Sequence, residues 1–140
     1  MWSEIDYDDN LVKDICYNCS SKKAKQSYNF FRRMHYVTGG KVWSKVWSKD
    51  ETPVAFYYAT QCKDHIRLIE IAVRSEYQNK GIGGKLLSRL LLQMKESGID
   101  TLTFRTPTNE TAQYFWLKMG AKIIDIKGDD YEMELKIKLQ

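Results

Sequence analysis

Residues 69–85 of this 140-residue chain read IEIAVRSEYQNKGIGGK, and the architecture can be worked out from them. The run of β-branched and apolar residues that ends at Val73 predicts a buried strand over 66–73. Apolar side chains recur every three or four positions over 81–97, which predicts a long helix. The first N–H groups of a helix are unpaired, and glycines let a ligand approach the main chain closely. The strand, glycine-rich turn and helix together therefore predict a site for an anion such as a phosphate.

The glycines do not fit two common nucleotide motifs. The dinucleotide pattern G-x-G-x-x-G requires a third glycine where Leu86 stands. The Walker pattern requires a glycine at Asn79 and a serine or threonine in place of Leu86. The pattern that remains is Q-x-x-G-x-G, which begins at Gln78 and follows a strand ending in I-A-V.

Length and composition predict one domain over 1–140. Hydrophobic residues make up 43% of the chain, charged residues 29% and aromatic residues 13%, which argues against disorder. No apolar run approaches the ~20 residues that span a bilayer, and the acidic first residues do not resemble a signal peptide. Three cysteines, an odd number, fit a reduced, cytoplasmic setting best.

The net charge of +4 is unevenly distributed. Residues 1–14 carry a net −4, residues 15–49 carry eight bases and no acid, and residues 50–140 are neutral overall. The basic segment also contains seven aromatic residues, a combination found in proteins that hold single-stranded nucleic acid. A solvated basic face with aromatic residues in the core is the simplest interpretation, and an anionic partner is the functional alternative.

Periodicity and turn residues predict the other elements. Asp8, Asp9 or Asn10 can cap a helix that starts near residue 11, and Gly98 and Gly120 can end helices. The predicted strands are 2–7, 41–49, 54–62, 66–73, 101–106, 122–127 and 131–139, with a hairpin turn at 50–53; the predicted helices are two over 11–36, one over 81–97 and one over 107–119.

The motif at Gln78 resembles that of the GNAT superfamily of acetyl-CoA-dependent N-acetyltransferases. A second stretch agrees with this family in position and mostly in residue: N-x-x-A begins at Asn109, and F-W-x-K-x-G-A begins at Phe115. The resemblance is specific over 66–121 and extends to the whole chain through the order of elements. It implies an α/β (α+β layered) fold with a mixed, mostly antiparallel, splayed sheet flanked by helices.

The resemblance also implies acetyl-CoA as co-substrate, with no metal. Its pantetheine arm would lie along the end of the strand over 66–73, and its pyrophosphate would lie on the turn. Asn109 matches a position that contacts the pantetheine arm, and it can also cap the helix that follows. The candidate cofactor-binding residues are Ile71, Ala72, Val73, Gln78, Asn79, Lys80, Gly81, Ile82, Gly83, Gly84, Lys85 and Asn109.

Glu70 is the candidate general base. Attack on a thioester needs a neutral amine, and most amines are protonated at pH 7, so a base must take a proton directly or through water. Glu70 lies on the strand implied to carry the cofactor, whereas the next strand, over 101–106, contains no carboxylate. The alternative is a structural carboxylate paired with a nearby Arg or Lys.

The departing thiolate can take a proton from a general acid. The family's usual acid is a tyrosine where this chain has Trp116, and an indole N–H is too weak an acid to protonate a thiolate. Tyr114 is the candidate in its place, although it lies about 200° round the helix from Trp116. Another group or water is the alternative.

Cysteine and histidine give weak signals. Cys16-x-x-Cys19 has the spacing of half a zinc or redox site, but Cys62, His35 and His65 are scattered, so packing is the preferred interpretation. His65 is expected to be a solvated turn residue, with assistance to proton transfer as its alternative.

The resulting expectation is an enzyme that transfers an acetyl group from acetyl-CoA to a primary amine by direct attack. The acceptor is unidentified, and the basic segment favours an anionic one. A protein that binds CoA or acyl-CoA with little turnover is one alternative, and a nucleic-acid-binding module that uses residues 15–49 is another. No membrane partner is expected.

Overall fold

A computed structural model describes residues 2–6, 8–18, 41–107 and 110–139. The predicted strands and the helices at 81–97 and 107–119 are present with small differences at their ends. The first predicted helix is present, and the second falls outside the described residues. In chain order the elements are β1 (Trp2–Asp6), α1 (Asp9–Tyr17), β2 (Val42–Lys49), β3 (Thr52–Gln61), β4 (Ile66–Val73), α2 (Ile82–Glu96), β5 (Thr101–Pro107), α3 (Glu110–Lys118), β6 (Lys122–Lys127) and β7 (Asp130–Lys136), with one 3₁₀ turn at Ser75–Tyr77.

The seven described strands form one sheet in the order β1-β2-β3-β4-β5-β7-β6. Every neighbouring pair is antiparallel except β4 and β5, which are parallel. A parallel pair needs a crossover, and α2 supplies it. The expectation of a mixed, mostly antiparallel sheet flanked by helices is therefore confirmed.

Strands β4 and β5 separate soon after they meet. Their paired residues are Ile66 with Leu102 and Arg67 with Thr103, although β4 continues to Val73 and β5 to Pro107. We call this point of separation the fork. Beyond the fork the two strands diverge, which confirms the predicted splay and leaves one edge of β4 open.

A cluster of polar side chains holds the sheet together at the fork. Arg67 on β4 donates to both carboxylate oxygens of Glu132 on β7, with Nη2 3.0 Å from Oε1. It also donates to Oγ1 of Thr103 on β5, 3.3 Å away. A two-pronged Arg–carboxylate pair is geometrically specific, so these contacts fix β4, β5 and β7 relative to one another where β4 and β5 begin to part.

An irregularity in β4 changes which face its side chains occupy. Tyr58 of β3 pairs with Glu70, but the next residue, Ala59, pairs with Leu68, so Ile69 is an extra residue. Such a bulge reverses the alternation of side chains beyond it. Glu70 therefore lies on the same face as its partner Tyr58, opposite to the face of Leu68.

Helices cover both faces of the sheet. On one face α2 and α3 pack over β2 to β5 and β7, and this larger core includes Leu86, Leu90 and Trp116. On the other face α1 packs through Val12 and Ile15 against β3 and β4. Large buried side chains at consecutive positions of β3 therefore point to opposite faces of the sheet and belong to the two different cores.

Helix α1 is fixed at both ends. Oδ1 of Asp8 accepts hydrogen bonds from the N–H groups of Asn10 and Leu11 at 3.0 and 3.1 Å, so Asp8 is the residue that caps the helix. At the other end the carbonyl of Asn18 accepts from the N–H of Ser75, 2.8 Å away. This contact joins α1 to the segment that follows β4.

The predicted helix ends are confirmed, and the predicted hairpin between β2 and β3 is present with a shorter turn. Gly98 and Gly120 have positive φ, 73° and 97°, and each is followed by an N–H that bonds back into the last helical turn. The hairpin between β2 and β3 is tighter than expected, with Asp50 and Glu51 as its two central residues at φ of 49° and 70°. None of the described helices is long and apolar enough to span a membrane.

Candidate functional site

The turn between β4 and α2 is shaped by two residues with left-handed main-chain conformations. Asn79 has φ of 61° and Gly81 has φ of 77°. Asparagine tolerates this conformation better than most residues, and glycine adopts it freely. The two bends turn the chain sharply from the end of β4 into the first turn of α2.

The first turn of α2 is suited to an anion. Its N-cap is Gly81, which has no side chain to accept hydrogen bonds from the N–H groups that follow, and the turn contains no acidic residue. A Cβ built at Gly84 meets nothing within 4 Å, and one built at Gly83 meets only Cγ2 of Val73 at 3.9 Å. The fold itself thus does not require glycine at Gly83 or Gly84. The open space beside them, with the positive end of the helix dipole, fits a phosphate.

A cavity of about 480 Å³ lies between the end of β4 and this turn. We call it the turn cavity. Nine of the twelve cofactor-binding candidates line it, together with two aromatic residues, Tyr77 and Phe115, that are not among those candidates. Phe115 belongs to the F-W-x-K-x-G-A stretch, but the spacing of neither residue distinguishes it from an aromatic residue of the core. The lining residues are Ile71, Ala72, Val73, Tyr77, Gln78, Asn79, Gly81, Ile82, Gly83, Gly84 and Phe115.

Side chains bond to the main chain of β4 beyond the fork. The N–H of Ile71 donates to Oε1 of Glu70 at 3.2 Å, and the carbonyl of Val73 accepts from Nε2 of Gln78 at 2.9 Å. Main-chain polar groups that are partly buried need such partners, and here β5 is no longer beside them. Gln78 therefore closes the turn against the end of β4.

Glu70 is half-buried and lies beside this open edge. Its partner across β3 and β4 is Tyr58, whose pKa burial raises to about 12, so that hydroxyl stays neutral at ordinary pH. Arg67, the nearest basic residue on the same strand, bonds to Glu132. Glu70 therefore lies next to main-chain groups of β4 that line the turn cavity.

Two cofactor-binding candidates, Lys80 and Lys85, are not among the described residues that line the turn cavity, and a third is not described. Lys80 is exposed, with Nζ 5.6 Å from the ring centre of Tyr77. Lys85 lines a second cavity on the other side of α2. Asn109 lies outside the described residues.

Trp116 and Tyr114 occupy different environments on α3. Trp116 is 6% exposed and packs on Phe104, with ring centres 3.9 Å apart. Tyr114 is 67% exposed, and Nζ of Lys118 lies 5.9 Å from its ring centre. Among the described side chains of α3, Phe115 is the one that lines the turn cavity. The structure does not place Tyr114 among these lining residues, so its role as general acid stays a prediction.

The described cysteine and histidine residues lie away from the turn cavity. Cys16 is buried in the core between α1 and the sheet, and Cys19 is outside the described residues. His65 stands in the turn before β4, at the end opposite the cavity, and its Nδ1 is 2.8 Å from Oδ1 of Asp64. Within the described ranges no group of three or more potential metal ligands occurs.

Comparison with solved structures shows the class of fold. The ribosomal-protein-S18-alanine N-acetyltransferase of Escherichia coli has a TM-score of 0.83 and 19% identity, over 98% of this chain and 94% of that one. The PaiA N-acetyltransferase of Thermoplasma acidophilum, solved in complex with coenzyme A, has a TM-score of 0.78 and 19% identity, over 98% and 99% of the two chains. At these identities the likeness shows the fold, which is that of GNAT acetyltransferases.

Comparison of sequences shows the family. The family model described as acetyltransferase (GNAT) family matches residues 9–121, which is most of the chain. The chain therefore belongs to the acetyltransferase (GNAT) family. The [ribosomal protein bS18]-alanine N-acetyltransferase of Haemophilus influenzae is 31% identical over 78 residues, which are 56% of this chain. That match spans 53%, about half, of the relative's length.

Proposed function

We propose that this protein transfers an acetyl group from acetyl-CoA to a primary amine. The observation that carries the proposal is the turn cavity, which joins the open edge of β4 to an uncapped helix start. An acyl thioester with a long arm and a pyrophosphate matches both parts. The arm would run along β4 beyond the fork, and the pyrophosphate would accept from the first N–H groups of α2.

Binding would depend on main-chain groups more than on side chains. Gly83 and Gly84 leave open space where a side chain would otherwise block the phosphate, and the first turn of α2 contains no acid to repel it. The main chain of Ile71 to Val73, three residues that line the turn cavity, would offer hydrogen-bonding groups to the arm. Tyr77 and Phe115 would cover its apolar parts.

Glu70 would act as the general base. The amine loses a proton to the carboxylate, directly or through water, and its nitrogen attacks the thioester carbonyl. The C–S bond then breaks, so that the acetyl group passes to nitrogen and CoA leaves as a thiolate. The nitrogen loses its second proton as the amide forms, and the thiolate takes up one proton. No covalent intermediate on the protein is needed in this scheme. In this scheme the N–H of Ile71, which donates to Glu70 in the structure, would lie beside the reacting groups.

Among the described side chains that line the turn cavity, Tyr77 is the one with an ionisable proton that the thiolate could take up. Tyr114 stays the candidate from the sequence, but its exposure and its contact with Lys118 favour water as the donor. We expect Tyr114→Phe to reduce kcat far less than the ~10²-fold that a positioned general acid contributes. A loss of that size or greater, with unchanged acetyl-CoA affinity, would instead establish Tyr114 as the acid.

The acceptor is proposed only as a class. The name of the Haemophilus influenzae relative refers to alanine of ribosomal protein bS18, and a peptide with a free alanine amine is therefore the first acceptor to test. An anionic acceptor, a single domain over 1–140 and a cytoplasmic location remain part of the proposal. CoA binding with little turnover is the second candidate function, since Trp116 stands where the family's usual acid would be.

The decisive experiment measures binding and turnover in Glu70→Gln. The glutamine side chain keeps an oxygen that can accept from the Ile71 N–H, so folding and acetyl-CoA affinity should be retained. Turnover on a panel of peptide amines should fall by about 10²- to 10⁴-fold, the contribution of a general base. Glu134→Gln is the matched control, since Glu134 is another half-buried strand carboxylate, on the partner strand of β5.

Three outcomes separate the candidates. Loss of turnover in Glu70→Gln but not in Glu134→Gln supports the enzyme and its base. Tight CoA binding by the unaltered chain with no turnover on any amine supports the binding protein. An absence of any stabilisation by acetyl-CoA or CoA in thermal unfolding refutes both, because a ligand at 100 times its Kd adds roughly 2.7 kcal/mol.

A further inference from the structure

Each of the two strands that part at the fork carries a charged residue just beyond it. The last pair of β4 and β5 is Arg67 with Thr103, and Arg105 is two residues further along β5. On β4 the equivalent distance ends at Glu70, because the extra residue of the bulge, Ile69, adds no step to the pairing with β3. Glu70 and Arg105 therefore lie at the same level on the two sides of the gap between the strands.

The two side chains also share a face of the sheet. Glu132 joins the two arginines on that face, since it bonds to Arg67 and its Oε1 is 3.6 Å from Nε of Arg105. Side chains two steps apart on a strand point the same way, so Glu70 lies on the face of Arg67. Its partner on β3, Tyr58, packs in the core beneath α1, so this is the face that α1 covers over β3 and β4. An acid and a base thus flank the gap on one face.

Arg105 keeps most of its guanidinium available. Glu132 is 14% exposed, and both of its carboxylate oxygens accept from Arg67. Arg105 is 48% exposed, and its contact with Glu132 is made through Nε. Its Nη1 and Nη2 make no hydrogen bond or ion pair with another residue that the structure describes. A guanidinium in this state can donate two parallel hydrogen bonds to the oxygens of a carboxylate.

This arrangement fits an acceptor that has a carboxylate near its amine. On the proposed function Glu70 receives the proton of the amine, and Arg105 offers its guanidinium at the same level across the gap. The group of two arginines and two glutamates is neutral overall, so an ammonium and a carboxylate on one molecule match it in charge. A phosphate would bring a second negative charge close to Glu70 and Glu132, which disfavours it.

We propose that Arg105 determines the specificity for the acceptor by binding a carboxylate that lies close to the reacting amine. The inference rests on the proposed function, and it narrows the acceptor from any primary amine to an amine with a neighbouring carboxylate. Two kinds of molecule supply this chemistry. A free amino acid has its α-carboxylate, and a peptide can have an acidic side chain beside its amino terminus.

The test uses two pairs of acceptors that differ in one carboxylate. Alanine is compared with alaninamide, and alanyl-glutamyl amide is compared with alanyl-glutaminyl amide. In the unaltered chain, kcat/KM should be about ten- to a hundredfold higher for the member with the carboxylate, the contribution of a charge-assisted hydrogen bond. A preference within the first pair identifies the α-carboxylate of a free amino acid, and a preference within the second pair identifies an acidic side chain.

Three variants test whether Arg105 causes the preference. Arg105→Gln should abolish it by raising KM for the acceptor with the carboxylate, whereas kcat/KM for the amide and KM for acetyl-CoA should not change. Arg105→Lys keeps the charge without the planar fork, so part of the preference should remain. Lys136→Gln is the matched control, because Lys136 is an exposed cation on the same face that pairs with Thr101 before the fork. A folding defect would lower turnover of both members of a pair.

Equal kcat/KM within both acceptor pairs, or a preference that Arg105→Gln retains, would overturn the inference and leave the proposed function intact. An absence of turnover by the unaltered chain on these four acceptors and on the panel of peptide amines would overturn the proposed function, and the inference with it. A preference for the carboxylate that is lost in Arg105→Gln and kept in Lys136→Gln supports the inference.

Discussion

Replacing Gly84 by alanine should stabilise the chain and weaken its binding of acetyl-CoA. Gly84 is the third residue of α2, its φ is not in the left-handed region, and a Cβ built on it meets nothing within 4 Å. Glycine inside a helix costs about 0.5–1 kcal/mol relative to alanine. The free energy of unfolding should therefore rise by about that amount, which corresponds to about 2–4 °C in Tm.

The same methyl group should harm binding. It would occupy the space in which, on the proposed function, a phosphate approaches the N–H groups of the first turn. Losing one charge-assisted hydrogen bond costs about 1.5–3 kcal/mol, or roughly ten- to a hundredfold in Kd. The stability and the affinity should thus change in opposite directions.

Urea unfolding and calorimetric titration with acetyl-CoA measure the two effects on the same sample. Ser88→Ala is the control, because Ser88 is exposed on α2 and alanine favours the helix there too. This control should gain or keep stability and keep its affinity. Unchanged affinity in Gly84→Ala would refute the placement of the phosphate, and a loss of stability would refute the open space at Gly84.

Three other predictions concern the sheet. Glu51→Gly should raise the free energy of unfolding by about 1 kcal/mol, because Glu51 has φ of 70° in a two-residue turn; an unchanged urea midpoint would contradict this. Glu132→Gln should lower it by about 2 kcal/mol, because Arg67 at the fork loses its charged partner, and a change below about 0.5 kcal/mol would show that the pair does not hold the fork. A hydrogen bond from Lys45 and the charge of that lysine lower the pKa of Asp6. The stability that Asp6 contributes is therefore present above its unfolded pKa of about 4 and is lost as the pH falls through its lower, folded-state pKa. Asp6→Asn should therefore be less stable than the unaltered chain at pH 7 and indistinguishable from it near pH 2, and an equal difference at both values would argue against the pair.

The local features of the site could be predicted from the sequence because they depend on neighbouring residues. The glycines at 81, 83 and 84 indicate a helix start without a capping side chain, and the apolar period over 81–97 indicates the helix behind it. Gly98 and Gly120 mark helix ends because few other residues adopt their positive φ. Nine cofactor-binding candidates that are close in sequence also line one cavity.

Features that depend on contacts between residues far apart in the chain could not be predicted from the sequence. Trp2 and Trp47 lie far apart in sequence, and pairing of β1 with β2 brings them together beside α2. The contact of Arg67 with Glu132 joins strands 65 residues apart. No spacing in the sequence predicts either contact, because strand order and register are fixed by the packing of the whole sheet.

Glu70 illustrates most directly what the sequence determines and what only the tertiary structure determines. Its residue type and its place before I-A-V were enough to propose a base, since a carboxylate on that strand is close to the glycine turn. Strict alternation from Ile66 and Leu68 would, however, direct Glu70 into the core under α2. The bulge at Ile69 reverses the alternation and brings Glu70 to the opposite face, beside Tyr58 and the open edge of β4. The sequence by itself thus determined the local strand, turn and helix, and the tertiary structure decided which face of the sheet receives the carboxylate, because register is settled by pairing with β3.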